Sequence, residues 1–175
     1  MKLPIIILVG TLMITGGCMF ARRHSHHKTT SAPDFTLPDQ DGKPVHLDDI
    51  IKNSHTTILI FYPKDGSPLC TQQLCAVQDT LFEDAQKHKV TILAISGNTP
   101  ADHKTFSQAH HFRFPLLSDL EGRVRKLYHA YSFFSQRATI IINHAGMIVD
   151  RCDDFISLKG HLEKIHHAID ASRHA

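Results

Sequence analysis

Three short runs decide what this chain can fold into. Residues 56–62 (TTILIFY), 90–96 (VTILAIS) and 138–143 (ATIIIN) are continuous, apolar and rich in β-branched residues. Each is too short for a typical helix, and none alternates with polar residues as a half-exposed strand does. Strands buried on both faces read this way, because helices above and below the sheet leave no solvent-facing side. The segments around them supply those helices. Residues 68–88 place Leu69, Ala76, Val77, Leu81 and Ala85 at mostly helical intervals. Residues 101–110 follow Thr99-Pro100, a capping residue and a first-turn proline. Two more helices are expected at 121–128 and 158–171. Residues 32–47 read as a β-hairpin with Phe35, Leu37, Val45 and Leu47 as its apolar positions and Asp41-Gly42 as its turn. A short strand is expected near 115–117, and 147–151 should pair back on 138–143 across the Ala145-Gly146 turn. The sum is an α/β sandwich with a mixed sheet, without internal repeat or second domain.

Composition narrows the function classes. One domain suits 175 residues, and 42% hydrophobic with 21% charged residues is ordinary for a globular chain. A net charge of +2 gives no basic face for nucleic acid. Four cysteines are too few for a disulfide scaffold. Histidine is unusual at 15 copies, so full protonation in mild acid would carry the formal charge from +2 to +17. His24, His26 and His27 lie in a polar basic stretch, His110-His111 and His166-His167 are adjacent pairs, and the others fall on expected turns and polar faces. Neighbours in a helix do not face each other, so no metal site is expected from these pairs.

The N-terminal residues read as an address. Lys2 precedes an apolar run at 3–14 of the length of a signal-peptide core. Thr15, Gly16, Gly17 and Cys18 follow, an order that resembles the lipobox of bacterial lipoproteins. The expected organisation is a signal peptide or membrane anchor at 1–17, a His-rich basic tether at 18–31 and the folded domain at 32–175. Lipidation at Cys18 would place that domain at the bacterial cell envelope, facing the periplasm.

The chemistry is concentrated in FYPKDGSPLCTQQLCAVQD, residues 61–79. A buried strand ends, Pro63 breaks its ladder, and Ser67-Pro68 supply an N-cap and a first-turn proline. Cys70 then falls in the first turn of a helix, where free backbone N–H groups and the helix dipole favour a thiolate.

This run resembles the P-x-x-x-[T/S]-x-x-C signature of peroxiredoxins. FYPKD before it and Cys75 five residues after Cys70 are similar to the bacterioferritin-comigratory, or Q-type, branch. APDFTLPDQDGKPVHLDD, FPLLSD at 114–119 and Arg137 before ATIIIN match further family segments, so the resemblance covers about 32–171. It implies a thioredoxin-like fold with an N-terminal hairpin and a thiol-dependent peroxidase needing neither metal nor organic cofactor. Cys70 would be the peroxidatic cysteine and Cys75 the resolving one, joined in a Cys70–Cys75 disulfide that a thioredoxin-like dithiol reduces. Ser67 would hydrogen-bond peroxide and thiolate, Pro63 would shield the sulfur, and Arg137 would polarise the hydroperoxide. Serine stands at 67 where the family commonly has threonine. The branch is often monomeric.

Helix geometry adds a constraint to that pairing. Five residues turn a helix through about 140° beyond a full turn and rise about 7.5 Å. A disulfide needs Cα atoms about 4.4–6.8 Å apart with converging Cβ atoms. The turn holding the two cysteines must therefore unwind before they can join. Two other redox-type readings are a copper-handling thioredoxin-fold protein and a thiol–disulfide exchange protein. The first wants two cysteines separated by three residues, the second C-x-x-C, and neither spacing is present. A non-catalytic envelope binding module is the reading from a different class.

Overall fold

The computed structural model describes residues 30–131, 137–154 and 157–173. Cys18, the expected signal segment and all but the last two residues of the expected tether lie outside them. Among the described residues, no helix is long and apolar enough to cross a membrane.

Six strands form one sheet: β1 (Thr30–Ser31), β4 (Thr56–Phe61), β5 (Val90–Ser96), β6 (Leu116–Ser118), β7 (Ala138–Asn143) and β8 (Met147–Cys152). Their order is β1-β8-β7-β4-β5-β6. β4, β5 and β6 run parallel, while β7 lies antiparallel to β4 and β8 antiparallel to β7. The sheet is mixed, as expected. β1 is formed by the last two residues of the tether stretch, which pair with Met147 and Ile148. A separate hairpin joins β2 (Thr36–Pro38) and β3 (Pro44–His46). The Asp39 carboxylate accepts the Asp41 and Lys43 N–H groups within its turn, and Gly42 supplies the positive φ of 77°.

The continuous apolar runs are buried on both faces. Ile58, Ile60 and Tyr62 join one core with Leu74, Val77, Phe106, Phe114 and Ile165. Leu59 and Phe61, pointing the other way, join Phe35, Leu37, Val124, Tyr128 and Ile140. Each such side chain contributes about 1.5–3 kcal/mol by leaving water.

The helices are α1 (Leu47–Lys52), α2 (Pro68–Thr80), α3 (Phe82–Lys87), α4 (Pro100–His110), α5 (Arg123–Leu127) and α6 (Leu158–Ser172). Thr99 caps α4 as expected, and Asp102 completes a reciprocal contact that the sequence reading did not include. Two helical expectations change. The single helix at 68–88 is broken at Leu81, whose φ of −122° leaves the helical region. Thr80 Oγ1 bonds back to Ala76 O at 2.6 Å, a contact that bends helices. The break lets Leu81 and Phe82 both enter the core, with Phe82 5.9 Å from the Phe114 ring. Leu47, read as a hairpin position, instead begins α1 and is fully buried. At six residues, α1 is too short for its periodicity to show.

Candidate active site

The sheet register creates the site. Phe61, the last residue of β4, pairs with Ala138, the first of β7. Arg137 therefore enters beside the loop that leaves β4, although 67 residues separate it from Cys70. Pro63 is half-buried at the start of that loop, and Gly66 turns it with a φ of 71°. Pro68 occupies the opening of α2, and Cys70 follows in the first turn, only 1% exposed.

Arg137 is 3% exposed, and its Nη2 donates to Cys70 Sγ at 3.3 Å. A guanidinium there attracts negative charge on the sulfur, and the backbone N–H groups opening α2 act in the same direction. Its Nη1 donates to Gln73 Oε1. Gln73 lies one helical turn from Cys70 and is fully buried, and its Nε2 has no hydrogen-bond partner among the described residues. The bidentate hold of Arg137 on Cys70 and Gln73 was not read from the sequence. The three-residue spacing from Cys70 was the available signal, because such residues share a helix face.

Ser67 holds the expected N-cap position of α2, in extended backbone, but its side chain makes no cap bond. Its hydroxyl donates instead to Lys64 O at 3.2 Å, within the loop. The expected N-cap bond is thus replaced by a contact that tightens the loop itself.

The loop is pinned from beneath by a buried polar cluster. Tyr62 OH donates to Asp65 Oδ1 at 2.7 Å, and Asp65 Oδ2 lies 2.8 Å from His103 Nδ1. His103 Nε2 faces Leu117 O at 3.2 Å, and the Asp65 N–H donates to Asn98 Oδ1 at 3.0 Å. Burial, reinforced by the Asp65 carboxylate, pushes the Tyr62 hydroxyl far above its ordinary value, so it remains a donor. His103 is fully buried, not on the polar face the sequence suggested. His161 is also fully buried, with Nδ1 2.8 Å from Thr139 Oγ1 and Nε2 2.6 Å from Asp154 O. The histidine excess is therefore partly structural.

Cys75 sits farther along α2, half-buried, with its Sγ 3.7 Å from His110 Nδ1. Burial pushes its thiol up, and the nearby Asp79 carboxylate adds to the shift. Cys152 lies on β8 opposite Thr139, and burial raises its thiol too. Cys70, Cys75 and Cys152 are free thiols. Among the described residues, no three His, Cys, Asp or Glu side chains are grouped to hold a metal ion.

A mixed sheet with a cysteine opening the helix after its central strand, and a buried arginine on the sulfur, defines a thioredoxin-fold protein with a thiol-based site. Residues 29–151 match the model of the AhpC/TSA family, well over half of the chain, and the chain belongs to that family. It is 41% identical over 110 residues to chloroplastic peroxiredoxin Q of Arabidopsis thaliana, covering 63% of this chain and 48% of that protein. The wheat (Triticum aestivum) peroxiredoxin Q is 41% identical over 99 residues, covering 57% and 44%. The chain thus spans about half the length of the curated relatives it matches. Among solved structures, peroxidoxin BcpB from Mycobacterium tuberculosis superposes with a TM-score of 0.74 at 26% identity, over 82% of this chain and 96% of that one. A Xanthomonas campestris bacterioferritin comigratory protein shares the fold at a TM-score of 0.69 and 22% identity, over 78% and 90%.

Proposed function

We propose that the chain is a thiol-dependent peroxidase that reduces hydrogen peroxide and organic hydroperoxides. The observation that carries this reading is the Arg137 guanidinium on the Cys70 sulfur at the first turn of α2. In this role the Cys70 thiolate attacks the O–O bond. Arg137 draws off charge developing on the peroxide oxygens, and Pro63 limits solvent at the sulfur. The departing oxygen leaves as water or alcohol, and Cys70 becomes a sulfenic acid. Cys75 then condenses with it, releasing water and forming a Cys70–Cys75 disulfide, which a thioredoxin-like dithiol reduces. Ser67 could approach the peroxide only after giving up its bond to Lys64 O. No organic cofactor or metal takes part in this scheme.

We further propose that the enzyme acts as a monomer, exported and tethered at the bacterial envelope through Cys18. The export and tether rest on the order of residues 2–18 alone, and the monomer on the resemblance to the Q-type branch. Loss of membrane association in Cys18→Ala is its test.

The catalytic reading is tested by peroxide consumption with reduced thioredoxin as the only dithiol, comparing wild type with Cys70→Ser and Cys75→Ser, each with and without added dithiothreitol. Cys70→Ser should be inactive. Cys75→Ser should turn over only when a small thiol resolves the sulfenic acid. Peroxide consumption that survives in Cys70→Ser overturns the assignment.

A further inference from the structure

We propose that His110 is the general base of the resolving step, taking the proton from Cys75 as its sulfur attacks oxidised Cys70. The inference rests on the peroxidase reading above. It starts from a chemical difficulty. Cys75 is held as a thiol by burial and by Asp79, and a thiol is a poor nucleophile. Resolution therefore needs an acceptor for its proton, and His110 Nδ1 lies 3.7 Å from the Cys75 sulfur.

His110 is held as a base must be. Its ring meets Phe106 edge-on at 4.9 Å and stacks on Phe112 at 5.5 Å, while those two phenylalanines are themselves 5.2 Å apart. The Cys75 end of α2 is fixed as well. Gln78 Oε1 accepts the Arg113 N–H at 2.9 Å, and Cys75 packs against the core that includes Phe106 and Phe112. At the Cys70 end, Ser67 gives α2 no side-chain cap bond, and Gly66 precedes it. When α2 unwinds, its first turn should release Cys70 toward Cys75, leaving the Cys75–His110 contact in place.

The step balances without another reagent. His110 Nδ1 takes the Cys75 S–H proton, and the thiolate attacks Cys70 Sγ. The sulfenic S–O bond breaks as the S–S bond forms, and the leaving hydroxide takes the proton from the imidazolium and departs as water. The Cys75 sulfur is oxidised by one unit and the Cys70 sulfur reduced by one. His110 ends neutral.

The test is a single turnover with one equivalent of hydrogen peroxide, acid-quenched and read by mass spectrometry as sulfenic acid and disulfide. Two variants are used: His110→Phe keeps the aromatic packing without the nitrogen, and His110→Ala opens space for added imidazole. Both should form sulfenic acid at the wild-type rate and then the disulfide about a hundredfold more slowly, the lower end of general-base effects. With excess peroxide both should accumulate sulfinic acid at Cys70, and imidazole should restore disulfide formation in His110→Ala. Disulfide formation at the wild-type rate in His110→Phe overturns the assignment while leaving the peroxidase reading intact. Wild-type protein that forms sulfenic acid but never the Cys70–Cys75 disulfide overturns the resolving role of Cys75 and this inference with it.

Discussion

Removing the Asp65 carboxylate should loosen the whole active-site loop. In Asp65→Ala, two buried donors lose their acceptor: Tyr62 OH, now at 2.7 Å, and the His103 ring, now at 2.8 Å. A stranded buried donor costs about 1–3 kcal/mol, and here two are stranded. Asp65 and His103 side chains are 9% and 0% exposed, so solvent offers little relief. Tyr62 OH retains a long contact to His103 Nδ1 at 3.4 Å, which recovers part of the loss. The expected cost is about 3 kcal/mol, a large share of the roughly 5–15 kcal/mol that stabilises a domain. With a urea dependence near 2 kcal/mol per molar, the unfolding midpoint should fall by about 1.5 M. Asp65→Asn keeps one acceptor oxygen and should lose about half as much. Asp65→Ala with His103→Ala should cost clearly less than the sum of the single variants, because the second change removes a donor already stranded. A midpoint within about 0.3 M of wild type, or strict additivity in the double variant, refutes this reasoning.

Other consequences can be checked alongside. Arg137→Met removes the guanidinium from Cys70 and should slow sulfenic acid formation by about a hundredfold in a competition assay, with far-UV circular dichroism unchanged. Burial holds the His161 imidazole below its ordinary value of 6.5, so folding favours the neutral ring. Its stabilising contribution is complete above about pH 6.5 and is lost as pH falls through the lower folded-state value. Urea midpoints should therefore fall between pH 7 and 5 in wild type and fall less in His161→Gln. Hydrogen exchange at residues 69–76 should be faster in peroxide-treated than in reduced protein, since one helix holds both cysteines. Equal protection in the two states would contradict helix unwinding.

The legible parts of the fold are those governed by local pattern. β4, β5 and β7 appear as apolar runs because both sheet faces are covered, and α4 announces itself through Thr99 and Pro100. The break at Leu81 was hidden because Leu81, Ala85 and their neighbours keep a helical rhythm across it. Cys70 was legible from its place after Pro68, whereas Arg137 came only from family resemblance. The Asp65–His103 contact joins residues 38 apart through the packing of α4 against the sheet, and no local pattern encodes such a pairing. Histidines at 103 and 161 looked like surface residues for the same reason: their partners come from distant elements.

The most direct test of the central claim is to trap the oxidised sulfur itself. Cys75→Ser should be treated with one equivalent of hydrogen peroxide in the presence of dimedone, digested and mapped. A single dimedone adduct on the peptide carrying Cys70 is the predicted result. No adduct, or an adduct confined to Cys152, would contradict the account.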